Sequence, residues 1–472
     1  MHKITSKNFN SALHFGKMPF VFTILSMVII NACATRTRNI ALEFTPPEQF
    51  SITGEQKMTD QWWTAFQDSS LNALVDQTVQ SNFTVKSAWQ RLLAARASAN
   101  RDKANLFPDL DISANGQAQR TSEGETEQIS LGLSSSYELD VWGKIPAGVK
   151  AERLRAEATL ADYRTMAITL SAEVVRTYFR LIEANSQKKL LIRQIDTNQK
   201  LLNLIKNRFG SGQIRSVDIL RQRQLLESTY EQKITEESRI QVLKNRLEVL
   251  MAKPPRQKIN ITRDRLPPLP QTPESGVPAE LVGRRPDVKA AYKRLLAADR
   301  DLAVAITNQL PRLDLSASLS TTAENAGNLF DYWVSSIAGD LLAPVFYGGR
   351  LRAEVDRRQA LKKQRLYEYE QSILNAFQEV EDALIREKKQ LQRIQSLEEQ
   401  VRLARLTSEQ LRVEYLNGLS DYLDVLTAFN DEQRLRRNLL AAKLVLLEYR
   451  VQLYRALAGR IADKRDRIPK GK

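Results

Sequence analysis

Two aspartates stand at matching places in this chain, each just past a glycine. Phe209-Gly-Ser-Gly212 is followed by Asp218-Ile-Leu220, and Tyr415-Leu-Asn-Gly418 by Asp424-Val-Leu426, at an offset of 206 residues. Asp421 lies close to the second of them. An acid in the first turn after a bend complements the positive end of a helix dipole, so its chemistry is charge rather than proton transfer. Nucleophilic catalysis that depends on histidine or a free thiol has no material to work with. Both histidines, His2 and His14, fall in a leader segment and Cys33 is the only cysteine. Serine–histidine and cysteine–histidine pairs and the usual zinc ligand sets are therefore excluded, and no disulfide can form. An enzyme using carboxylates alone would need a pair about 5 to 10 Å apart in a cleft. Glu379-Val-Glu-Asp382 is the densest acidic run within a long helix and reads as a solvated face. No Walker loop or dinucleotide fingerprint stands out.

Cys33 has a different meaning. A basic stretch with Lys3, Lys7 and Lys17 leads into the apolar run Phe20–Ile30 and then Asn31-Ala32-Cys33. That order is a secretory leader, and the apolar run is shorter than the roughly 18 residues of a spanning helix. The cysteine sits where a bacterial lipoprotein signal places the residue that is lipidated and becomes the new N-terminus. Ala34 follows it, which resembles sorting to the outer membrane. Removing the three leader lysines lowers the formal charge from +15 to +12. The remaining Lys and Arg alternate with Glu and Gln along helical stretches, so nucleic-acid binding is not implied.

The elements that position the two aspartates occur twice. Val85-Lys-Ser-Ala-Trp-Gln-Arg-Leu-Leu-Ala-Ala95 returns as Val288-Lys-Ala-Ala-Tyr-Lys-Arg-Leu-Leu-Ala-Ala298, at an offset of 203. In each copy a helix, about 71 to 105 or 278 to 307, precedes a stretch whose period changes from 3.6 to 2. Leu110, Ile112, Ala114, Gly116 and Ala118 alternate with polar residues, and Ile129, Leu131, Leu133, Tyr137, Leu139 and Val141 form the apolar face of a second strand. Leu313, Leu315, Ala317 and Leu319 repeat the pattern, while about 332 to 345 alternates less cleanly. Gly143-Lys-Ile-Pro146 and Pro344 to Gly349 suit a change of direction. Long helical runs follow, about 147 to 208 and 350 to 415, each spanning roughly 90 to 100 Å. They end at Gly212 and Gly418, and a helix of about forty residues returns from each turn. A returning helix stacked on the short helix before the hairpin would match one long helix.

The chain so divides into a leader 1–32, an extended arm 33–66, a first copy 67–253, a proline-rich linker 254–277, a second copy 278–460 and a basic tail 461–472. Two hairpins supply four strands, and four cannot close a transmembrane barrel, which has at least eight. Two chains would give eight strands and three would give twelve. A small soluble sheet capping a coiled coil is the other architecture these patterns allow.

The two-copy layout, Arg284-Arg-Pro-Asp-Val288, Leu106-Phe-Pro, Gln309-Leu-Pro, Gly348-Gly-Arg350 and the Gly-to-Asp-x-Leu tips together resemble the TolC-like outer-membrane factors, especially their lipoprotein branch. The resemblance implies an α+β membrane protein: a homotrimer with a twelve-stranded barrel in the outer membrane of a Gram-negative bacterium and a twelve-helix tunnel through the periplasm. It implies passive export, no enzyme activity and no cofactor beyond lipid on Cys33. Its partners would be a periplasmic adaptor and an inner-membrane pump of the RND type. Asp424 then falls on an acidic periplasmic aperture, with Asp421 and Asp218 as secondary candidates. Three copies of Asp424 around an axis would form a ring attractive to cations. A second acidic position found in some members is Thr427 here, and Ser420 and Arg221 occupy positions where others use polar latch contacts. Arg284, Arg285 and Asp287 read as structural, with Pro286 opening a helix. A periplasmic adaptor lipoprotein is the alternative function, disfavoured by the duplication and the four amphipathic strands.

Overall fold

The computed structural model describes residues 42–122, 124–257 and 263–458. Cys33, both histidines, the leader and the basic tail lie outside the described residues. Eight α-helices, two short 3-10 turns (Trp62–Phe66 and Ala326–Asn328) and one sheet make up the described fold, the main elements in the order α1 (Ser69–Ser81), α2 (Phe83–Ala104), β1 (Asp109–Thr121), β2 (Gly124–Leu139), α3 (Lys144–Gly210), α4 (Ser216–Leu250), α5 (Pro278–Arg284), α6 (Pro286–Thr307), β3 (Arg312–Ala323), β4 (Trp333–Leu342), α7 (Arg350–Leu416) and α8 (Tyr422–Leu457). No helix among the described residues is long and apolar enough to cross a membrane.

The two long helices, α3 and α7, each run for 67 residues. After Gly148, the fifth residue of α3, neither contains a glycine or proline until the last residue of α3, so nothing in the sequence breaks the i to i−4 ladder. Asp140 fixes where α3 begins, accepting from the backbone N–H groups of Lys144 and Ile145, both at 2.9 Å. The returning helices stack on short ones as the lengths require. The end of α4 meets the start of α2 at Asn82, whose Nδ2 donates to the Leu250 carbonyl at 2.8 Å. In the second half the end of α8 meets the start of α6 at Arg285, which donates to the Ala456 carbonyl at 3.3 Å.

Two expected helices are broken. The run 71 to 105 divides at Asn82, whose side chain accepts from the N–H groups of Thr84 and Val85 and so caps α2. The run 278 to 307 divides at Arg285-Pro286, because proline offers no N–H and holds the residue before it extended. Residues 42–66 are not loose. Phe50 meets Phe377 edge-on, Ser51 donates twice to Glu381, and Trp62, Trp63 and Phe66 enter the main core beside Tyr178, Phe179 and Tyr454. Large aromatics lose too much in water to stay on a tether.

Side by side, the helices form a curtain four columns wide. α3 packs on α2 and α4 at one side and on α6 and α8 at the other, and α7 packs on α6 and α8. The flank of α2 and α4 and the flank of α7 stay open. Both carry exposed apolar side chains, among them Leu220, Ile234 and Val242 on α4 and Tyr367, Ile385 and Leu403 on α7.

Above the curtain the four strands form one antiparallel sheet in the order β1-β2-β3-β4, leaving the edges of β1 and β4 unpaired. The register places Ile112, Leu133 and Leu319 in one row, and Leu139, Leu313 and Leu341 in another. Rows of the opposite parity hold Ser134, Ser318 and Ser336, or Glu138, Asp314 and Asp340. One face is apolar and the other polar, as the period-2 pattern requires. Among the described residues no core covers the apolar face: Ile112 is 78% exposed and Ile337 is 88% exposed.

Candidate functional site

The tip opposite the sheet gathers the residues singled out by their spacing. Both turns close in the same way. Gly212 and Gly418 take φ of +72° and +78°. The N–H of Gln213 reaches back to the Arg208 carbonyl at 3.0 Å, and that of Leu419 to the Glu414 carbonyl at 2.8 Å. This is the six-to-one bond of a Schellman turn, and the left-handed residue it needs is glycine.

The matching aspartates meet different surroundings. Asp218, third residue of α4, is buried, with Arg215 at 3.7 Å and Arg221 at 3.5 Å. Asp424, third residue of α8, is exposed, as is Asp421 at the start of the same helix. The offset of 206 explains the contrast, because the second copy has Asp421 where the first has Arg215 and Thr427 where it has Arg221. Two arginines hold Asp218 at the helix start in the role its dipole favours. Asp424 has no such cations and its charge faces solvent.

Contacts between the halves lock the tip. Tyr422 Oη donates to Gln222 Oε1 at 2.6 Å and meets Tyr415 ring to ring at 5.6 Å. Burial pushes the Tyr422 hydroxyl well above its ordinary range, and Tyr415 and Asp218 add to the rise. Arg208, at the end of α3, lies over the Tyr415 ring at 4.8 Å and donates to the carbonyls of Tyr415 and Leu416 that end α7. A cation at a helix C-terminus is favoured by its dipole. Arg221 serves Asp218, and the buried Ser420 hydroxyl has no hydrogen-bond partner among the described residues. The sequence pointed to the turn glycines and missed Arg208, Tyr415, Tyr422 and Gln222. Tyr415 stands in the very block that marked the repeat, and an aromatic next to a turn was the available signal.

At the other end the polar face of the sheet carries Glu138, Asp314 and Asp340 in one row across three strands. Lys144 neutralises Glu138 at 2.8 Å and Arg312 neutralises Asp314 at 2.8 Å. Trp142 ties the two hairpins together by donating to the Pro311 carbonyl at 2.6 Å. The acidic run of α7 is not a solvated face. Glu379 pairs with Arg285 at 2.8 Å and Arg455 at 3.1 Å, Glu381 receives Ser51, and Val380 between them is fully buried. Arg285 is buried and also pairs with Asp287 at 2.6 Å. Burial alone would raise the Asp287 carboxyl, but the Arg285 guanidinium holds it below the usual carboxylate range.

Known proteins share this layout. The profile of the outer membrane efflux protein family matches residues 74–253 and 277–459. The pyoverdine export outer membrane protein OpmQ of Pseudomonas aeruginosa is 29% identical over 462 residues, covering 92% of this chain and 96% of its own length. The cation efflux system protein CusC of Escherichia coli strain K12 is 25% identical, covering 88% of this chain and 93% of its own. Among solved structures the outer-membrane channel OprN superposes with a TM-score of 0.82 at 26% identity, over 89% of this chain and 99% of that one.

Proposed function

This chain belongs to the outer membrane efflux protein family, and we propose that three copies of it close into one continuous duct anchored by lipid at Cys33. It is the outer-membrane channel of a tripartite efflux system, a passive conduit and not an enzyme.

The observation that carries the trimer is the match between its open edges. β1 follows α2, and β4 leads into α7, so the unpaired strand edge and the open helical flank lie on the same side at both levels. The β4 and α7 side of one copy meets the β1, α2 and α4 side of the next. Unlike surfaces joined head to tail generate a ring when the rotation closes. Eight strands from two copies would enclose a space that side chains fill. Twelve strands from three copies leave a passage.

The apolar face then turns to lipid and the serine-rich face to the lumen. On β2 that band runs from Ile129 to Leu139, about 33 Å along the strand and roughly 25 Å when tilted by about 40°. The first copy, 67–253, and the second, 278–460, each supply a hairpin and half of the tunnel wall. Segment 254–277 links them, 1–32 is the leader, 33–66 the anchored arm and 461–472 the basic tail. At the tip Asp424, with Asp421, rings the periplasmic aperture. Asp218, buried under Arg215 and Arg221, is left out of that ring. A periplasmic adaptor and an inner-membrane pump, of the RND type, would deliver cargo to the tip. OpmQ is described as a pyoverdine export protein and CusC as part of a cation efflux system, so we assign cargo choice to the pump rather than to the duct.

The test is the mass of the detergent-solubilised protein together with its conductance in planar bilayers. Three protomers and a cation-selective pore are expected, and Asp424→Ala should weaken the selectivity in the measured reversal potential. A monomer without conductance would sink the duct.

A further inference from the structure

A cavity of about 500 Å³ opens between α3, α4 and α8 within the helical column. That size suits a small organic molecule. Two buried side chains on its wall, Glu183 and Gln187, each hold an unused acceptor. Gln187, 6% exposed, gives one amide N–H to Glu183 Oε1 at 2.8 Å and the other to the Arg437 carbonyl at 3.0 Å. Both partners are acceptors, so the amide cannot be turned round, and its own Oε1 is left without a donor among the described residues. Glu183, 1% exposed, has Arg239 at 2.9 Å from Oε2, yet that oxygen accepts no hydrogen bond either. Burial raises the carboxyl of Glu236, on the same wall, above its usual range, with Arg239 opposing and Glu183 adding to the rise. Buried acceptors without donors are costly, and N–H groups on a positive charge would satisfy these.

A second need on the same wall has the opposite sign. Arg437 is half-buried there, and no carboxylate pairs with it among the described residues. Its Nη1 donates to Gln194 Oε1 at 2.7 Å, and burial, with the like charge of Arg434, lowers its pKa from the ordinary value. Gln194 lies about 10 Å beyond Gln187 along α3, so the two needs stand roughly that far apart. Leu191 lies between them, and Ala441, Leu444 and Val445 supply an apolar wall.

We propose that this cavity binds a chain-like amphoteric molecule, its primary ammonium on Gln187 and Glu183, its carboxylate on Arg437 and its apolar body along Leu191. The mouth of the cavity opens into the duct. Ser186 and Lys189 hold Asp264 of the linker on a side of α3 turned about 100° to 160° from Gln187. The linker in turn binds the arm, where Gly54 donates to the Pro273 carbonyl at 3.1 Å. An arm that descends from a lipid anchor runs down the outside of the column, so the opposite face is the lumen. That placement rests on the duct reading, and the binding does not.

The probe is 6-aminohexanoate, whose ends lie roughly 8 Å apart when extended, with hexanoate and n-hexylammonium chloride as its two halves. Titration calorimetry on the detergent-solubilised oligomer should show the probe binding at least about 10-fold more tightly than either half, the difference one charge-assisted contact makes. Gln187→Met should bring its affinity down to that of hexanoate, and Arg437→Met to that of hexylammonium. Ala441→Phe fills the cavity from its rim and removes no polar group. It should abolish binding, and it keeps the test open should a polar variant fail to assemble. In planar bilayers the probe should interrupt the current of the parent and leave that of Ala441→Phe undisturbed. Equal binding of the three compounds, or Ala441→Phe binding like the parent, overturns the site. Binding without interruption of a conducting pore overturns the lumenal mouth. Binding as expected in an oligomer that does not conduct overturns the duct reading and leaves the site standing.

Discussion

Arg450 is 1% exposed, yet every donor it has is used. Its guanidinium grips Glu387 at 2.6 and 2.7 Å, and donates to the carbonyls of Pro270 and Gln271 and to the hydroxyl of Thr272. One side chain thus staples α8 to α7 and to the linker between the halves. Removing it leaves the Glu387 carboxylate, 5% exposed, without a counter-charge. Arg450→Ala should therefore cost about 3 to 5 kcal/mol, read as a lower denaturation midpoint of the detergent-solubilised protein. Lysine should not rescue it, because a point charge cannot replace a planar fork. Nothing in the sequence set Arg450 apart from the other members of 70 lysines and arginines. A buried pair is defined by what surrounds it, and surroundings come only from packing. Asp218 and Asp424 teach the same lesson, since equal spacing foretold equal positions but not the arginines that neutralise only one.

At the scale of elements, local rules were enough for the long helices and the strands. The ends of α3 and α7 followed from where glycine and proline stop, and the face of each strand followed from alternation of period 2. The breaks inside the short helices were less legible, although both carried a chemical mark. Asn82 is the clearer case, because one side chain performs two tasks. Its oxygen caps α2 at Thr84 and Val85, and its nitrogen holds the Leu250 carbonyl at the end of α4. Asn82→Ala should remove the cap and leave a buried carbonyl unpaired, a loss of about 2 kcal/mol measured in chemical denaturation. Asp in its place should keep the cap and lose only the bond to Leu250. The fourth strand is the least legible of the four. Val334, Ala338 and Leu342 lie on its otherwise polar face, which blurs the alternation without changing the register.

The whole molecule is built to be incomplete alone. Its sheet has two open edges and an uncovered apolar face, and its helical curtain has two open flanks. Exposed apolar surface on this scale marks a membrane or a partner, and the proposed barrel would supply both. If the apolar face meets lipid, neighbouring positions on β4 must respond to charge in opposite ways. Ile337 lies in the middle of the strand on the apolar face, in the row of Ala317 and Ser135, and is 88% exposed. Ser336 points to the other face and shares a 2.8 Å hydrogen bond with Ser318. A lysine at the lipid-facing midplane of a barrel costs about 2 to 4 kcal/mol, and three copies would carry it at once. Ile337→Lys should therefore leave little assembled oligomer in the outer-membrane fraction, whereas Ser336→Lys, facing a watery lumen, should assemble and shift the pore away from cation selectivity. Equal assembly of the two variants would mean that this sheet does not stand in a bilayer.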